Sequence, residues 1–294
     1  MSIATPPRLR ALGSYTARAA APLASALALC SVAPPVPGAP LEVPAGYRLV
    51  WRDEFDRDGT PDPARWVHDT VRNKEGWYNE ERQYYAGPGR GNAFVRGGRL
   101  VITARKESPA DQPDWGGQRY TSARLITRGK ADWTYGYFEV RARMPCGRGT
   151  WPAIWTLGSG GRWPEDGELD ILEHVGSDPE RVSSAVHVKA AHGANPAYGA
   201  QRLSSACGRF HNYQMHWTRN GVTFGVDGFV HLHYPRQTTG SDAWPFDAPQ
   251  FLVLNLAIGG HLGGPVDDAI FPVQFEIEYV RVYQPAPPAP PARP

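Results

Sequence analysis

Hydrophobic and polar residues alternate with a period of two in many short stretches of this chain. The alternation is clear over residues 99–104, 121–128, 135–144 and 275–283, and Gly, Pro, Asn and Asp separate these stretches. Such a pattern places successive side chains on opposite faces of a β-strand. Residues 250–258 are almost entirely apolar, which is typical of a central strand.

Two further strands are predicted at 222–226 and 229–234, because Asp227-Gly228 between them is a strong signal for a two-residue hairpin turn. The sequence has neither the pattern of a long amphipathic helix nor an internal repeat. We therefore predict an all-β fold, a β-sandwich with large curved sheets.

The most informative stretch is 167–173 (GELDILE), in which three carboxylates lie among apolar residues. Glu168 and Asp170 share one face of a strand, and a β-bulge at Ile171-Leu172 would bring Glu173 to the same face. Neighbouring carboxylates cannot all stay ionised cheaply, so their pKa values separate. Cleavage of a glycosidic bond requires such a pair, one acid and one base or nucleophile. A cation site and a plain acidic strand are the alternatives.

The two ends of the chain differ in composition from its centre. Three arginines precede an apolar run rich in Ala and Leu over residues 19–32, which is typical of a secretory signal. A disordered tail and lipidation at Cys30 are the alternatives to a cleaved signal. We divide the chain into a signal peptide (1–33), a Pro-rich linker (34–46), one folded domain (47–284) and a disordered Pro-Ala tail (285–294). We expect a secreted or periplasmic protein.

The formal net charge of +2 includes those three arginines, and no acidic residue precedes Glu42, so the remainder is nearly neutral. A neutral surface offers no electrostatic attraction for nucleic acid or an anionic membrane, and we expect neither as a partner. No later apolar run reaches the roughly 18 residues of a membrane span. A neutral polymer is therefore a more natural substrate than a strongly anionic one.

The chain contains ten tryptophans, and aromatic faces bind sugar rings by stacking. Trp151, Trp155 and Trp163 directly precede the acidic stretch and are candidates to line a cleft, with core packing as the alternative for each. Trp51 and Trp217 lie in alternating strand patterns and are expected in the core.

Two cysteines, Cys146 and Cys207, follow the predicted signal peptide. In an oxidising compartment they could form a disulfide, and two free buried thiols are the alternative.

Residues 149–155 (GTWPAIW), Trp163-Pro164 and the Glu-x-Asp-x-x-Glu stretch together resemble glycoside hydrolase family 16, and more specifically its bacterial laminarinase-like endo-β-1,3-glucanases. Further segments that resemble the family, in the same order, are 51–55 (WRDEF), 79–85 (NEERQYY), 120–124 (YTSAR), 135–139 (YGYFE), 255–260 (NLAIGG) and 279–283 (YVRVY). The resemblance therefore spans most of the folded domain.

This resemblance implies a curved β-jelly-roll sandwich of the concanavalin A type, with a substrate cleft across its concave sheet. It also implies a retaining double-displacement mechanism, with Glu168 as nucleophile, Glu173 as general acid/base and Asp170 between them. The five-residue spacing with a bulge is the laminarinase-like form, whereas other branches use four residues without one.

By the same resemblance, His187 lies on the neighbouring strand, where it would polarise the acid/base or bind a sugar hydroxyl, with a structural role as the alternative. Asn79 is a candidate to reach substrate from a loop. His174 is expected to be structural, and Glu80 and Glu81 are expected to be solvated loop charges.

Many family members carry a structural calcium on the convex side, bound by backbone oxygens and an Asp of the last strand. Glu278 stands at that position here, so it is a candidate ligand, although its extra methylene shifts the oxygens. No cofactor is expected for the chemistry.

The sequence thus predicts a monomeric, endo-acting enzyme whose partner is a β-glucan polysaccharide of the β-1,3 or mixed β-1,3/1,4 type. Hydrolysis of agarose or another galactan, and transglycosylation, are the alternatives within enzymes. A non-catalytic β-glucan-binding protein is the alternative of a different class, and such a protein would lack the catalytic carboxylates.

Overall fold

The computed structural model describes residues 40–237, 240 and 242–287, so the predicted signal peptide and the end of the Pro-Ala tail lie outside the described residues. Almost all regular structure in this part is β-strand. The strands are β1 Tyr47–Asp53, β2 Val67–His68, β3 Gln83–Tyr85, β4 Ala93–Val95, β5 Leu100–Ala104, β6 Tyr120–Ser122, β7 Arg124–Ile126, β8 Gly136–Arg143, β9 Thr150–Gly158, β10 Glu168–His174, β11 Arg181–His187, β12 Ala197–Arg202, β13 His211–Thr218, β14 Gly221–Val226, β15 Phe229–Pro235, β16 Gln250–Ile258 and β17 Val273–Pro285. One short helix, α1 Gly260–Gly263, and two 3₁₀ turns, Tyr78–Glu80 and Asp268–Ile270, complete the described elements.

The strands form two large antiparallel sheets. The first has the order β15-β14-β13-β8-β17-β5-β4, with β1 also paired to β17, and the second has the order β12-β11-β10-β9-β16-β7-β2. A small parallel pair, β3 and β6, stands apart from both. The predicted all-β sandwich is confirmed.

The core lies between the two sheets, where alternate residues of each strand meet. Leu169, Ile171 and Leu172 of β10 are almost completely buried there, together with Phe138 and Val140 of β8 on the other sheet. Burial of such apolar side chains is worth roughly 1.5–3 kcal/mol each and sets which face of every strand points inward. The opposite face of the seven-stranded sheet is left for polar residues and a cleft.

The predicted strand positions are largely confirmed, and the mostly apolar stretch Gln250–Ile258 is β16, inside its sheet. The predicted strand over 121–128 divides into two, because β6 pairs with β3 whereas β7 pairs with β16 and β2. The hairpin between β14 and β15 turns at Asp227 and Gly228, whose φ values of 50° and 83° suit a turn with two left-handed residues.

The end of the predicted linker packs against the domain. Leu41 is buried, its N–H donates to the carbonyl oxygen of Gly228 at 2.7 Å, and the Tyr137 hydroxyl donates to its carbonyl oxygen at 3.1 Å. Residues 40–46 form no strand, but this hydrogen bonding holds them on the eight-stranded sheet.

Two tryptophans expected in the core are there. Trp217 is fully buried, and Trp51 is partly buried with its ring edge-on to Trp66 and Trp133. Within the described part of the chain, no helix is long and apolar enough to span a membrane.

Candidate active site

A β-bulge places the three carboxylates of β10 on one face. Asp170 pairs with Ala185 and Glu173 with Ser183, so three steps along β10 match two steps along β11. The same irregularity lies between Asp170 and Leu172 against β9. The extra residue keeps Leu169, Ile171 and Leu172 in the core while the acids point the other way, as the sequence predicted.

These acids lie in an open cleft of about 2050 Å³ on the outer face of the seven-stranded sheet. Its walls include the indole rings of Trp77, Trp151, Trp155 and Trp163. A cleft of this size, apolar in part and with convergent polar groups, suits a chain of sugar rings. Of the residues predicted from sequence, the structure places Glu168, Asp170, Glu173, Trp151, Trp155, Trp163, His187 and Asn79 along this cleft.

Glu168 receives a hydrogen bond from the Trp163 indole, whose Nε1 donates to its Oε2 at 2.8 Å. The other carboxylate oxygen, Oε1, lies 3.8 Å from His187 Nε2. Burial and the neighbouring Asp170 carboxylate raise the pKa of Glu168 well above its usual range, whereas His187 and the Trp163 hydrogen bond act to lower it. The Trp163 ring itself is half-exposed, so it can also contact a ligand in the cleft.

Glu173 receives a hydrogen bond from the second indole, with Trp151 Nε1 donating to its Oε1 at 3.1 Å. Burial raises the pKa of Glu173, while His187 and the Trp151 hydrogen bond act to lower it. The raised pKa favours the protonated form, and the second oxygen remains available to carry the proton.

Asp170 lies between the two glutamates and is the most buried of the three, with its side chain 5% exposed. Burial and the charge of Glu173 raise its pKa well above its usual range. His187 Nε2 lies 3.3 Å from Asp170 Oδ2, so the imidazole faces Glu168 and Asp170 together. The structure places His187 on the neighbouring strand β11, beside these acids.

The cation-site alternative for the acidic stretch has little geometric support. Donor atoms of Glu168, Asp170 and His187 lie within 4.8 Å of one another. However, Ca²⁺ prefers six to eight oxygen ligands, whereas this set includes a nitrogen, and two indole N–H groups already point at the carboxylates. The arrangement suits proton transfer and nucleophilic attack better than metal binding.

Beyond the acids, Trp155 is held by a chain of hydrogen bonds that the sequence did not reveal. Its Nε1 donates to Asn255 Oδ1 at 2.6 Å, and Asn255 Nδ2 donates to the Tyr85 hydroxyl at 3.0 Å. Asn255 is the one polar residue inside the otherwise apolar run 251–258, and this exception was the available signal.

The sequence did not identify Arg124 as a residue of the cleft wall either, because it looked like an ordinary polar position of an alternating strand. Its Nε donates to Asp69 Oδ2 at 2.9 Å, and both side chains are about nine-tenths buried. The guanidinium also lies 4.7 Å from the centroid of the Trp155 ring and 5.2 Å from that of Trp77. The pairing and the two cation–π contacts fix this part of the cleft wall.

The expectation for Glu81 was wrong. Its carboxylate is partly buried beside the cleft and accepts hydrogen bonds from Gln83 Nε2 at 2.8 Å and from the Tyr85 hydroxyl at 3.2 Å. Burial raises its pKa. Glu80 is exposed, as predicted, and Asn79 is exposed at the rim of the cleft with a positive φ of 58°.

The residues around Glu278 do not fit a calcium ion. Glu278 Oε2 accepts a hydrogen bond from Arg141 Nε at 2.7 Å, and Oε1 lies 4.0 Å from Arg99 Nε. A cation would have to displace these guanidinium groups, which already neutralise the carboxylate. The predicted metal ligand is therefore an ion-pairing residue.

Behind the catalytic strand, Cys146 and Cys207 form a disulfide, with Cα atoms 5.8 Å apart. His174 is buried next to these cysteines and its Nε2 donates to the carbonyl oxygen of Pro179 at 3.1 Å. Its structural role and the pairing of the two cysteines both follow from this arrangement.

Comparison with known proteins gives a consistent answer. The profile of the glycosyl hydrolases family 16 matches residues 80–281. A β-glucanase from Rhodothermus marinus is 46% identical over 256 residues, which cover 81% of this chain and 85% of that protein. A crystal structure of a non-specific endo-β-1,3(4)-glucanase of this family superposes with a TM-score of 0.81 at 46% identity, covering 84% of this chain and 99% of that one. The laminarinase of Rhodothermus marinus superposes with a TM-score of 0.77 at 44% identity, covering 82% and 98%.

These matches extend over the sandwich, the bulged strand and the cleft, and they confirm the jelly-roll architecture that the sequence resemblance implied. The carboxylates that a non-catalytic relative would lack are present and converge. The chain is a glycoside hydrolase and belongs to family 16.

Proposed function

We propose that this enzyme is an endo-acting, retaining β-glucanase that cleaves β-1,3 linkages in laminarin-type glucan and also acts on mixed-linkage β-1,3/1,4-glucan. The observation that supports the proposal is the single face of β10 on which Glu168, Asp170 and Glu173 lie, inside a cleft lined by indole rings. An open cleft lets a polymer pass through, which favours cleavage within the chain. The similar proteins described above are a β-glucanase, an endo-β-1,3(4)-glucanase and a laminarinase, which supports the same substrate class.

In the first step, the Glu168 carboxylate attacks the anomeric carbon and forms a covalent glycosyl–enzyme bond. The bond from that carbon to the leaving oxygen breaks, and the proton of Glu173 moves to that oxygen. Because Trp163 holds Oε2 of Glu168, the other oxygen, Oε1, is the atom assigned to the attack.

In the second step, Glu173 is a carboxylate and takes a proton from water. The water oxygen attacks the anomeric carbon on the face opposite Glu168, and the Glu168–sugar bond breaks. Two inversions give net retention of configuration. The Trp151 indole keeps Glu173 oriented through both steps by donating to the same oxygen, Oε1.

Asp170 and His187 set the protonation of the two glutamates in this proposal. Three buried carboxylates at this spacing do not all ionise, and the pKa of Asp170 is raised by both burial and the charge of Glu173. A proton kept on Asp170 leaves Glu168 as the ionised nucleophile. His187 faces both groups and offers a donor to either of them.

The charges along the cleft favour a neutral glycan over a sulfated one. Its lining includes seven carboxylates, from Asp69, Glu81, Asp166, Glu168, Asp170, Glu173 and Asp178, but only five arginines. Two of these arginines are already paired, Arg124 with Asp69 and Arg162 with Asp166, each at 2.9 Å. Sulfate groups would therefore meet few available cations.

The test is a reducing-end assay on laminarin, lichenan, agarose and carrageenan, with size analysis of the products and proton NMR of the first anomer released. We expect activity on the two glucans, early release of oligosaccharides of mixed length, and the β-anomer first. Initial release of the α-anomer would refute the retaining mechanism, and activity confined to agarose or carrageenan would refute the substrate class.

Export of the enzyme to the periplasm or the medium is part of the same proposal. The signal-like composition of residues 1–33 and the paired cysteines support it. Cell fractionation with N-terminal sequencing of the exported form is the measurement, and an enzyme retained in the cytoplasm with its leader intact would contradict it.

A further inference from the structure

Ser184 of β11 lies directly opposite the bulge in β10. Its neighbours Ala185 and Ser183 pair with Asp170 and Glu173, whereas Ser184 falls between these pairs, where β10 carries its extra residue. The side chain of Ser184 is completely buried, and its Oγ donates to the carbonyl oxygen of Ile171 at 2.8 Å. A bulge disrupts the regular ladder of main-chain bonds, and a buried carbonyl needs a donor. Ser184 supplies one at the bulge itself.

The opposite sheet contributes the next group in this chain of hydrogen bonds. His231 of β15 places its Nε2 2.9 Å from Ser184 Oγ. Because the Ser184 hydrogen is used on the Ile171 carbonyl, the His231 Nε2–H must be the donor. Burial lowers the pKa of His231 to about 4, so the ring is neutral at neutral pH. The two hydrogen bonds therefore point in the same direction, with His231 donating to Ser184 and Ser184 donating to Ile171 at the bulge.

A glycine allows β15 to come this close. Gly199 of β12 pairs with Ser184, and a Cβ atom there would lie 2.5 Å from the carbonyl oxygen of His231 and 2.7 Å from Leu232 Cβ. Any side chain at Gly199 would push β15 away from β11. Glycine is thus required at this position for His231 to reach Ser184.

We propose that Ser184 and His231 are positioning residues for the general acid/base, since they hold the bulge that turns Glu173 into the cleft. Neither residue lines the cleft, so neither contacts the sugar. Ile171 has no register partner on β9 or β11, and without Ser184 its carbonyl loses a hydrogen bond. A regular register of β10 then becomes more favourable relative to the bulge. A regular register would turn Glu173 toward the core, because each residue of slip exchanges the two faces. This inference rests on the proposed role of Glu173.

The test is Ser184→Ala, assayed on laminarin and on an aryl β-laminaribioside whose leaving group is an acidic phenol. Loss of a buried hydrogen-bond donor should lower kcat on laminarin on the order of 10- to 100-fold, with KM changed less than about twofold. The aryl substrate needs little protonation and should lose less than about threefold in its bond-cleavage step. Added azide should raise turnover of the aryl substrate, since azide needs no general base.

Ser122→Ala is the matched control. Ser122 is equally buried, and its Oγ has no hydrogen-bond partner among the described residues, so its removal should leave both activities unchanged. At His231, Gln keeps a side-chain N–H donor whereas Leu does not, so His231→Gln should retain more laminarin activity than His231→Leu. If Ser184→Ala fails to fold, the comparison of His231→Gln with His231→Leu on both substrates tests the same chain of hydrogen bonds from its other end.

Equal losses on the two substrates, or an equal loss in Ser122→Ala, would overturn the positioning role. If the loss of activity in Glu173→Gln does not depend on the leaving group, the acid/base assignment itself is refuted instead. A crystal structure of Ser184→Ala separates the two failures. If the Ile171 carbonyl and the Glu173 side chain have not moved in it, the positioning role is overturned, whether or not Glu173 is the acid/base.

Discussion

The disulfide gives a prediction whose size follows directly from the fold. Cys146 and Cys207 are 61 residues apart, and the loop that they close contains β9, β10, β11 and β12. Closing a loop of this length removes conformational entropy from the unfolded chain that is worth about 4 kcal/mol at 25 °C. For a domain of this size, such a loss lowers the Tm by about 8 to 16 °C.

The perturbation is reduction of the same protein, in a Cys30→Ser background so that a third thiol does not interfere. Oxidised and reduced samples have identical sequences, so neither a cavity nor a new side chain contributes to the difference. Urea unfolding followed by tryptophan fluorescence measures the free energy of unfolding of each form. Cys146→Ala/Cys207→Ala serves as a second reduced form that cannot reoxidise.

We expect the reduced protein to be less stable by about 4 kcal/mol, with a similar slope against urea. Because the cysteines lie beside His174, the residue after Glu173, the catalytic strand should also lose protection from hydrogen exchange earlier than β16 does. A difference below about 1 kcal/mol would refute the entropy argument. Two titratable thiols in the denatured, unreduced protein would refute the disulfide itself.

Four further predictions concern the cleft. Glu168→Gln should abolish hydrolysis while laminarin binding survives, and more than a few per cent of residual activity would exclude Glu168 as nucleophile. Glu173→Gln should lose most activity on poor leaving groups but be partly spared with acidic phenols, with azide restoring turnover and retention of configuration; uniform losses across leaving groups would argue against the acid/base role. Trp163→Phe removes an N–H donor that lowers the pKa of Glu168, so the acidic limb of the kcat/KM profile should move to higher pH, and an unchanged limb would show that this bond does not tune the nucleophile. Trp155→Ala should lower kcat/KM on long laminari-oligosaccharides by about 1–3 kcal/mol but not on those too short to reach the indole; equal losses at every length would assign Trp155 to the structure of the wall.

The strand pattern of the sequence was sufficient to predict which face of β10 carries the acids. Alternation and one bulge are local properties, because they depend on residues within a few positions of Glu168. The hairpin at Asp227-Gly228 and the central strand Gln250–Ile258 were predictable for the same reason. Core burial then followed, since apolar residues on one face of each strand can only be covered by the other sheet.

The contacts that finish the site could not be predicted in this way. Glu81 looked like a solvated loop charge, yet Tyr85 and Gln83 bind it at the edge of the cleft. Glu278 looked like a metal ligand, yet Arg141, 137 positions away in the sequence, occupies its carboxylate. The Glu278 outcome depends on which distant strands become neighbours. Glu81 has partners only two and four residues away, but its segment also pairs with the distant Gly259 in an isolated bridge.

The sequence by itself therefore determined the class of fold, the acidic strand and its chemistry, because these are encoded in short-range periodicity and in residue type. Only the tertiary structure decided which polar groups from distant parts of the sequence meet. Asn255 and Tyr85 are 170 positions apart, Tyr47 and His216 are 169 apart, and His231 and Ser184 are 47 apart. The physical reason is that hydrogen bonds and ion pairs act over about 3 Å. Strand order and sheet packing set such distances, and no local pattern in the chain records them.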